Sequence, residues 1–285
     1  MKPVLILLRP LARALALVLL VMIGSTLLVR LAPGYLSDAR EMDARYGNIV
    51  RAELAEEGAR SRSVPQMFAH EISGWLHGDA GVSRQFGVPV GELIEPRLAV
   101  TVGLLLRSLL LGWVFALGAA LVSSTRRRSG IVWQAPATLL LAIPTAAMAT
   151  LCLLAGGGGP VLVMALLIAA RDFKFLSRML RRVWLEPHLL HARALGIRTR
   201  RLLTMYIAPA LATQLAALAG LSLVTALSAL VPVEVLFDVP GLGQLAWNAA
   251  MNRDLPVLLA VTLLMALAVT SSGILSGQPA DWERA

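Results

Sequence analysis

The first residues whose types and spacing could support chemistry are two histidines. His188 and His191 are three positions apart, so both imidazoles would lie on one face of a helix, an arrangement used by zinc ligands. A zinc site takes three or four protein ligands, and the surrounding segment offers no third one. Cys152, the single cysteine, lies inside an apolar run and is typical of a small buried side chain. We therefore predict no metal ion and no internal disulfide.

Four consecutive glycines, in the sequence AGGGGP over residues 155–160, could in principle cradle a phosphate. A P-loop also needs a lysine followed by serine or threonine, and neither follows here, so the glycines indicate a tight external turn. The sequence contains no G-x-S-x-G, H-E-x-x-H or Walker motif. We predict no catalytic residue and no cofactor, and the chain is not expected to be an enzyme. Any ATP hydrolysis would come from another polypeptide.

Arg107 is a charged residue in the middle of an apolar segment. An unpaired charge at that depth costs ~2.5–3.5 kcal/mol on insertion scales, so the side chain should face the bundle interior or a wet cavity. Two interpretations stay open: Arg107 lines a transport pathway, or it forms a structural ion pair. Arg171, Asp172 and Lys174 interrupt a second apolar segment, which either ends near the cytoplasmic interface or turns these charges towards a partner helix.

The elements that would position these residues are apolar segments long enough to cross a bilayer. Of the 285 residues, 57% are hydrophobic and 15% are charged, a balance well outside that of a soluble domain. A spanning helix needs about 20 mostly apolar residues. We predict an all-α membrane protein with about six transmembrane helices, over residues 11–31, 98–122, 131–155, 161–180, 208–235 and 255–275.

The positive charge predicts the orientation of these helices. A net charge of +9 could suggest nucleic acid, but the arginines cluster between apolar blocks, so nucleic-acid binding is not expected. Short cytoplasmic loops retain lysine and arginine, which places both termini and the loops around residues 126–128 and 178–201 in the cytoplasm of a multi-pass inner-membrane protein. The predicted parts are an N-terminal anchor (1–32), an external, periplasmic segment (33–96), a transmembrane domain (97–276) and a cytoplasmic tail (277–285).

The long cytoplasmic loop over residues 186–211 has its own pattern. The sequence HARALGI predicts a short helix that ends at Gly196, followed by charged residues and a second helix. Alanine and glycine present little bulk, so such a helix could enter a partner's groove, where its arginines could pair with acids. The alternative is an interfacial helix attracted to anionic lipid headgroups, at about 1 kcal/mol per basic residue.

This loop resembles the EAA motif of binding-protein-dependent ABC importer permeases. The motif is an ARAxG core after an acidic residue, which is matched by Glu186, Ala192, Arg193, Ala194 and Gly196. In that family the loop docks on the ATPase. The resemblance therefore implies an ATPase-coupling loop, to which we also assign His191 and Arg198.

Two distant segments resemble the branch of the family that transports dipeptides, oligopeptides and nickel. The first, residues 77–102, carries a GD-G-S stretch, a Pro-Val pair and an Arg-Leu pair; its matching residues are Asp79, Gly81, Ser83, Pro89, Arg97 and Leu98. The second, residues 233–260, carries E-x-x-F-x-x-PGLG-x-L and then RD-x-P. We assign an external turn and gate to Glu234, Pro240, Gly241, Gly243, Arg253 and Asp254 in this second segment, whose PGLG would alone be only a turn signal.

The resemblance implies a type-1 ABC importer permease architecture. It implies a second permease subunit, forming a homologous heterodimer, two cytoplasmic ATPase subunits, an external solute-binding protein and the lipid bilayer as partners. The cargo would be a peptide, nickel or a similar small solute, and ATP binding would pull on the loop. The alternative from the residues alone is a stand-alone channel or secondary transporter. The sequence departs from the family at Gln214, in a short third external connection and in the tail after Thr270.

Overall fold

The computed structural model describes residues 80–275, except residues 126–128 and 253, together with Ala16, Leu20, Ile23, Gly24 and Gly74. The predicted first span, most of the external segment, the basic cluster at 126–128, Arg253 and the C-terminal tail lie outside the described residues. The described part is helical, and its only β pairing is an isolated antiparallel bridge between Val82 and Pro89. The all-α prediction is confirmed.

The helices follow one another with short connections. In chain order they are α1 (Val90–Thr125), α2 (Ser129–Ala142), α3 (Thr145–Leu154), α4 (Pro160–Trp184), α5 (Pro187–Ala194), α6 (Thr199–Leu202), α7 (Ala208–Leu236), α8 (Leu242–Met251) and α9 (Leu255–Leu275), with a π-helical turn over Leu203–Ile207. Both α4 and α5 begin with proline, whose missing N–H costs nothing at the first helical position. Each predicted span from residue 98 onward is helical, with one break at Ile143 and Pro144.

Three of these helical stretches are long and apolar enough to cross a bilayer: Val90–Ser124, Leu203–Leu236 and Leu255–Ser272. The predicted span over residues 131–155 is instead two helices, Gln134–Ala142 and Thr145–Leu154, that meet at an angle of 102°. The bend is at Pro144, because proline cannot donate the helical hydrogen bond and forces the preceding residue out of the helical conformation. The pair is one broken span or a re-entrant segment.

The chain divides into two compact units, one of residues 1–99 and 240–267 and one of residues 100–239 and 268–285. In the described part of the first unit, the start of α1 packs with α8 and α9 around Val90, Leu242, Leu245 and Val257. In the second unit, α1, α4, α5 and α7 enclose a core that contains Phe173, Leu176, Leu189, Leu202 and Leu218. All residues of the loop at 186–207 belong to the second unit.

A close approach between α1 and α4 in the second unit depends on Gly112. A Cβ atom at this position would lie 2.9 Å from the Cβ of Ile168 and 3.1 Å from the carbonyl oxygen of Ala165. Small residues allow membrane helices to pack backbone against backbone, which is a main source of their association. At Gly112 the two helices therefore pack directly against each other, with no side chain of α1 between them.

We expect Gly112→Ala to lower the stability of the purified permease by about 1–3 kcal/mol, because the added methyl group overlaps the side chain of Ile168 and crowds the carbonyl oxygen of Ala165. The measurement is the thermal unfolding midpoint in detergent. Gly118→Ala is the matched control on the same helix, since a Cβ there meets nothing within 4 Å. The control should keep or raise the midpoint, because alanine is the better helix former. Equal midpoints for the two variants would contradict the proposed packing.

Candidate functional site

The loop between the long helices α4 and α7 is a helix, a turn and a second helix. The helix α4 ends at Trp184, α5 starts at Pro187, and Glu186 takes the capping position between them without a side-chain hydrogen bond to α5. The predicted helix that ends at Gly196 is confirmed, since α5 ends at Ala194. The chain then re-enters helical structure at Thr199.

The end of α5 is fixed by a Schellman motif centred on Gly196. The amide of Gly196 donates to the carbonyl oxygen of Arg193 (3.0 Å), and the amide of Ile197 donates to that of Ala192 (3.2 Å). The φ angle of Gly196 is +76°, in the left-handed region that side chains disfavour. A Cβ here would meet no atom within 4 Å, so the requirement for glycine comes from the backbone conformation.

The residues of α5 divide between an inner and an outer face. Leu189 and Ala192 are buried in the core of the second unit, together with Leu202 from α6. Ala192 therefore packs against its own chain and holds the helix in place. The predicted coupling residues that remain exposed are Glu186, His191, Arg193, Ala194, Gly196 and Arg198. Two large apolar side chains of the same segment, Leu185 and Leu195, are 73% and 67% exposed.

A cation–π contact ties α5 to the end of α4. The guanidinium carbon of Arg193 lies 5.3 Å from the ring centroid of Trp184. Such a contact contributes about 0.5–1 kcal/mol at an exposed site. The sequence resemblance gave Arg193 a role in docking, but the structure also shows how its side chain is oriented. This contact was missed from the sequence because nothing in the spacing indicates that the two residues meet.

The loop returns to α7 through the π-helical turn at Leu203–Ile207. The amide of Ala208 donates to the carbonyl oxygen of Leu203, five residues earlier. The next residue, Pro209, has no amide proton and cannot donate a helical hydrogen bond. This interruption of the backbone hydrogen bonds favours the wider π-helical turn. Isolated π-helical turns are frequent at functional sites, and this one joins the loop to a transmembrane helix.

Glu234 and Asp238 lie at the far end of α7, in the second unit. Glu234 is fully buried, and the hydroxyl of Thr101 donates to its Oε1 atom (2.8 Å). A second Schellman motif ends α7: Asp238 has a φ angle of +50°, and the amide of Val239 donates to the carbonyl oxygen of Glu234 (2.9 Å). Aspartate is one of the few non-glycine residues that adopt this conformation readily. Pro240 follows and prevents the helix from continuing.

Gly241, Gly243 and Asp254 belong to the first unit. Gly241 caps α8 in an extended conformation, and both glycines are buried beside Leu242 and Leu245. Asp254 precedes α9 and is buried, but its carboxylate points to a loop that is distant in sequence. The hydroxyl of Ser83 donates to Asp254 Oδ2 (2.5 Å), the amide of Gln85 to the same atom (3.2 Å), and the amide of Arg84 to Oδ1 (3.2 Å).

The two distant segments that carried the resemblance therefore meet in one structure. Besides the bonds to Asp254, a Cβ on Gly81 would lie 3.7 Å from the Cβ of Pro256. Gly81 and Gly87 both have positive φ angles, which allows the chain to fold back between Val82 and Pro89. We define the anchored loop as residues 81–89. Sequence reasoning assigned Ser83 and Asp254 separately and did not predict their hydrogen bond.

Arg107 lies on the exposed side of α1. A Cβ on Gly103, one helical turn earlier, would lie 3.8 Å from a terminal guanidinium nitrogen of Arg107. The guanidinium thus lies over the surface that Gly103 leaves open. Within the described part of the chain Arg107 forms no hydrogen bond or ion pair, so the ion-pair interpretation has no partner there.

A buried polar cluster that the sequence did not reveal joins three helices of the second unit. The indole nitrogen of Trp113 on α1 donates to Ser222 Oγ on α7 (3.2 Å), and Ser222 donates to Asp172 Oδ2 on α4 (2.6 Å). Asp172 is fully buried, and its Oδ1 atom has no hydrogen-bond partner among the described residues. The charge of Asp172 was the only signal in the sequence, and it did not identify Ser222.

Comparison with known proteins adds a family and named relatives. The family described as "Binding-protein-dependent transport system inner membrane component" matches residues 103–278. The glutathione transport system permease protein GsiC of Pectobacterium atrosepticum is 27% identical over 271 residues, which is 87% of each chain. The protein of the same name from Escherichia coli K12 is 26% identical over 254 residues, 82% of each chain. The protein y4tP of Sinorhizobium fredii, named as a probable peptide ABC transporter permease, is 24% identical over 286 residues, covering 90% of this chain and 91% of its own.

Proposed function

Because the chain belongs to the family of binding-protein-dependent transport system inner membrane components, we propose that residues 185–198 form the surface on which an ATPase subunit docks. A member of this family is a multi-pass inner-membrane permease of an ABC importer, and it works with ATPase and substrate-binding partners. The family is one of transporter permeases and not of enzymes. It favours an importer subunit over a stand-alone channel or a secondary transporter. We call residues 185–198 the coupling surface.

The exposed chemistry of the coupling surface supports docking to a protein. Leu185 and Leu195 place two large apolar side chains in solvent, and protein interfaces bury such side chains at their centre. Arg193 and Arg198 are exposed beside them and can pair with acids of the partner. Because the Schellman motif and the contact with Trp184 fix the shape of the surface, a partner meets a preorganised structure.

The connections of the coupling surface support a mechanical role. It lies between α4 and α7, and the hydrogen bond from Ser222 to Asp172 joins these two helices at a distance from the loop. A force applied to α5 therefore moves α4 and α7 together, as in rigid-body transitions of packed helices. The chain transmits the movement, while ATP is hydrolysed on the partner.

The rest of the assembly follows from the same proposal. The permease pairs with a homologous second permease, two ATPase subunits bind on the cytoplasmic side, and an external binding protein delivers a small peptide or related solute. Both termini and the coupling surface face the cytoplasm. Glu234, Pro240, Gly241, Gly243, Arg253 and Asp254 form the external turn and gate, and Arg107 lines the pathway between the two permeases. The names of the glutathione and peptide permeases support a peptide-like cargo.

A cysteine-protection experiment tests the orientation and the docking together. Leu195→Cys, in a Cys152→Ser background, should react with a membrane-impermeant maleimide in inside-out vesicles that have been stripped of ATPase subunits. Adding the ATPase subunits back should reduce the labelling rate about tenfold, because the side chain becomes buried in the interface. Leu154→Cys is the matched control: this leucine is 80% exposed in the same unit and adjoins the predicted external turn.

The control should react only in right-side-out preparations and should be unaffected by the ATPase. Labelling of Leu195→Cys from the external side would contradict both the orientation and the docking site. Cytoplasmic labelling that the ATPase does not reduce would contradict docking alone. Protection by anionic lipid in the absence of ATPase would instead favour the lipid-binding interpretation of the loop.

A further inference from the structure

We propose that the translocation pathway selects solutes with a free carboxylate and that Arg107 binds this group. The inference rests on the proposed function, in which Arg107 lines the pathway. It narrows the range of proposed cargo to solutes with a carboxylate, because peptides and their derivatives carry this group and a divalent metal cation does not. Four observations support it: the depth of Arg107, its exposure, the burial of the acids in the spans, and the space next to its guanidinium.

The depth of Arg107 requires a wet environment. It is the only charged residue of α1 between Val100 and Val122. At a rise of about 1.5 Å per residue it lies ~14 Å from the start of the predicted span at Leu98, near the middle of a ~30 Å hydrocarbon core. A lipid-facing arginine at that depth is strongly disfavoured, and in a transporter the water-filled surface at that depth is the pathway.

Because Arg107 is exposed, its charge is available to bind a solute. Its side chain is exposed, and no described residue forms a hydrogen bond or ion pair with it. The guanidinium lies beside Gly103, and no other described side chain comes within 4 Å of the Cβ position of residue 103, so a solute can approach the guanidinium from this side. A guanidinium binds a carboxylate through two parallel N–H···O bonds, and this geometry is specific for planar anions.

The other charges in the described spans strengthen the preference for anions. In the spans predicted over residues 98–122, 161–180 and 208–235, the acids are Asp172 and Glu234, which are both 0% exposed and accept hydrogen bonds from Ser222 and Thr101. By contrast, Arg107 is exposed and Lys174 is partly exposed. The exposed charges inside these predicted spans are therefore cationic, and the exposed acids of α1, Glu92 and Glu95, precede its predicted span. Rings and walls of arginine and lysine select anions in membrane pores, and a nickel ion would be repelled.

Uptake by the complete transporter in membrane vesicles, driven by ATP, tests this inference. The probes are glutathione, trialanine as the free acid, trialanine as the C-terminal amide, and Ni²⁺. We expect Arg107→Met to reduce uptake of the free acids by about 10-fold to 100-fold, the effect of losing a hydrogen bond to a charged group, and to change uptake of the amide by less than about threefold. Arg107→Lys should recover most of the lost uptake.

A second variant tests the inference without removing Arg107. Gly103→Glu places a carboxylate one turn away from Arg107, where a side chain has room, and should reduce uptake of the free acids as strongly as Arg107→Met does. Leu110→Met, one turn further along the exposed side of α1, is the control and should transport normally. Equal losses for acid and amide, uptake of Ni²⁺ alone, or full uptake of the acids by both charge variants would overturn the inference. The absence of any ATP-driven uptake by the parent complex would instead contradict the proposed function.

Discussion

Replacing Gly196 with valine should uncouple the permease from its ATPase while leaving the chain in the membrane. The left-handed conformation at φ +76° costs an ordinary residue about 1–2 kcal/mol, and a β-branched side chain is among the least tolerant. The strain is relieved if the hydrogen bonds to Arg193 and Ala192 break, which moves Leu195 out of position. We expect recovery of the ATPase subunits with the tagged permease, and ATP-driven uptake, to fall by about tenfold.

Gly196→Asn is the matched variant, because asparagine adopts the left-handed conformation at little cost. It should keep most of the ATPase recovery and of the uptake. A Cβ on residue 196 would have no described atom within 4 Å, so the Cβ atom that both variants carry does not itself clash with the described part of the chain. Normal ATPase recovery and uptake by Gly196→Val would exclude a role for this helix end. Equal losses in both variants would show that the partner needs the absence of a side chain at this position.

Replacing Asp254 with asparagine should destabilise the anchored loop at residues 81–89. The carboxylate accepts hydrogen bonds from Ser83, Arg84 and Gln85, and an amide nitrogen would replace one of the two acceptor atoms. Asp254 and Ser83 are both buried, so the Ser83 hydroxyl cannot bind water in place of a lost acceptor, and we expect the free energy of unfolding to fall by about 2–4 kcal/mol. The thermal midpoint of the purified permease should fall by about 5–10 °C.

Glu95→Gln is the control for the change in charge, since this acid is exposed on α1. It should leave the midpoint within about 1–2 °C of the parent, the range typical of surface substitutions. A double-mutant cycle of Asp254→Asn with Ser83→Ala should show coupling of about 1 kcal/mol or more, because the two residues share a hydrogen bond. Additive effects of the two substitutions would mean that their contact contributes nothing to stability.

Local sequence signals predicted some parts of the candidate site well. Gly196 was expected to end a helix, and the structure shows the left-handed glycine and both hydrogen bonds of the cap. Such a cap depends on a few consecutive residues, so a local pattern is enough to indicate it. The bend at Pro144 was not predicted, because the hydropathy of this apolar window indicated one continuous span. Hydropathy indicates whether a segment lies in the membrane, but it does not indicate whether the helix bends there.

The packing of side chains could not be predicted in the same way. Ala192 belongs to the motif that suggested a small-residue docking face, yet it is buried against its own chain. Ser222 and Trp113 looked like ordinary residues of apolar spans, and only the arrangement of α1, α4 and α7 brings them to Asp172. Contacts between residues this distant in sequence depend on how helices rotate and approach one another, and the sequences of α1 and α7, which have no strong amphipathic pattern, leave this open.

The sequence by itself determined that this protein lies in a membrane, that it is helical, and to which family it belongs. Apolar runs in a bilayer must form helices, because every backbone polar group has to be satisfied within its own segment. Only the tertiary structure decided which side chains are buried with a hydrogen-bond partner and which remain exposed. It buries Asp172, Glu234 and Asp254 with such partners. It leaves Arg107 and the leucines of the coupling surface exposed. The physical reason is that burial and pairing are properties of several helices at once, whereas insertion into the membrane is a property of each helix alone.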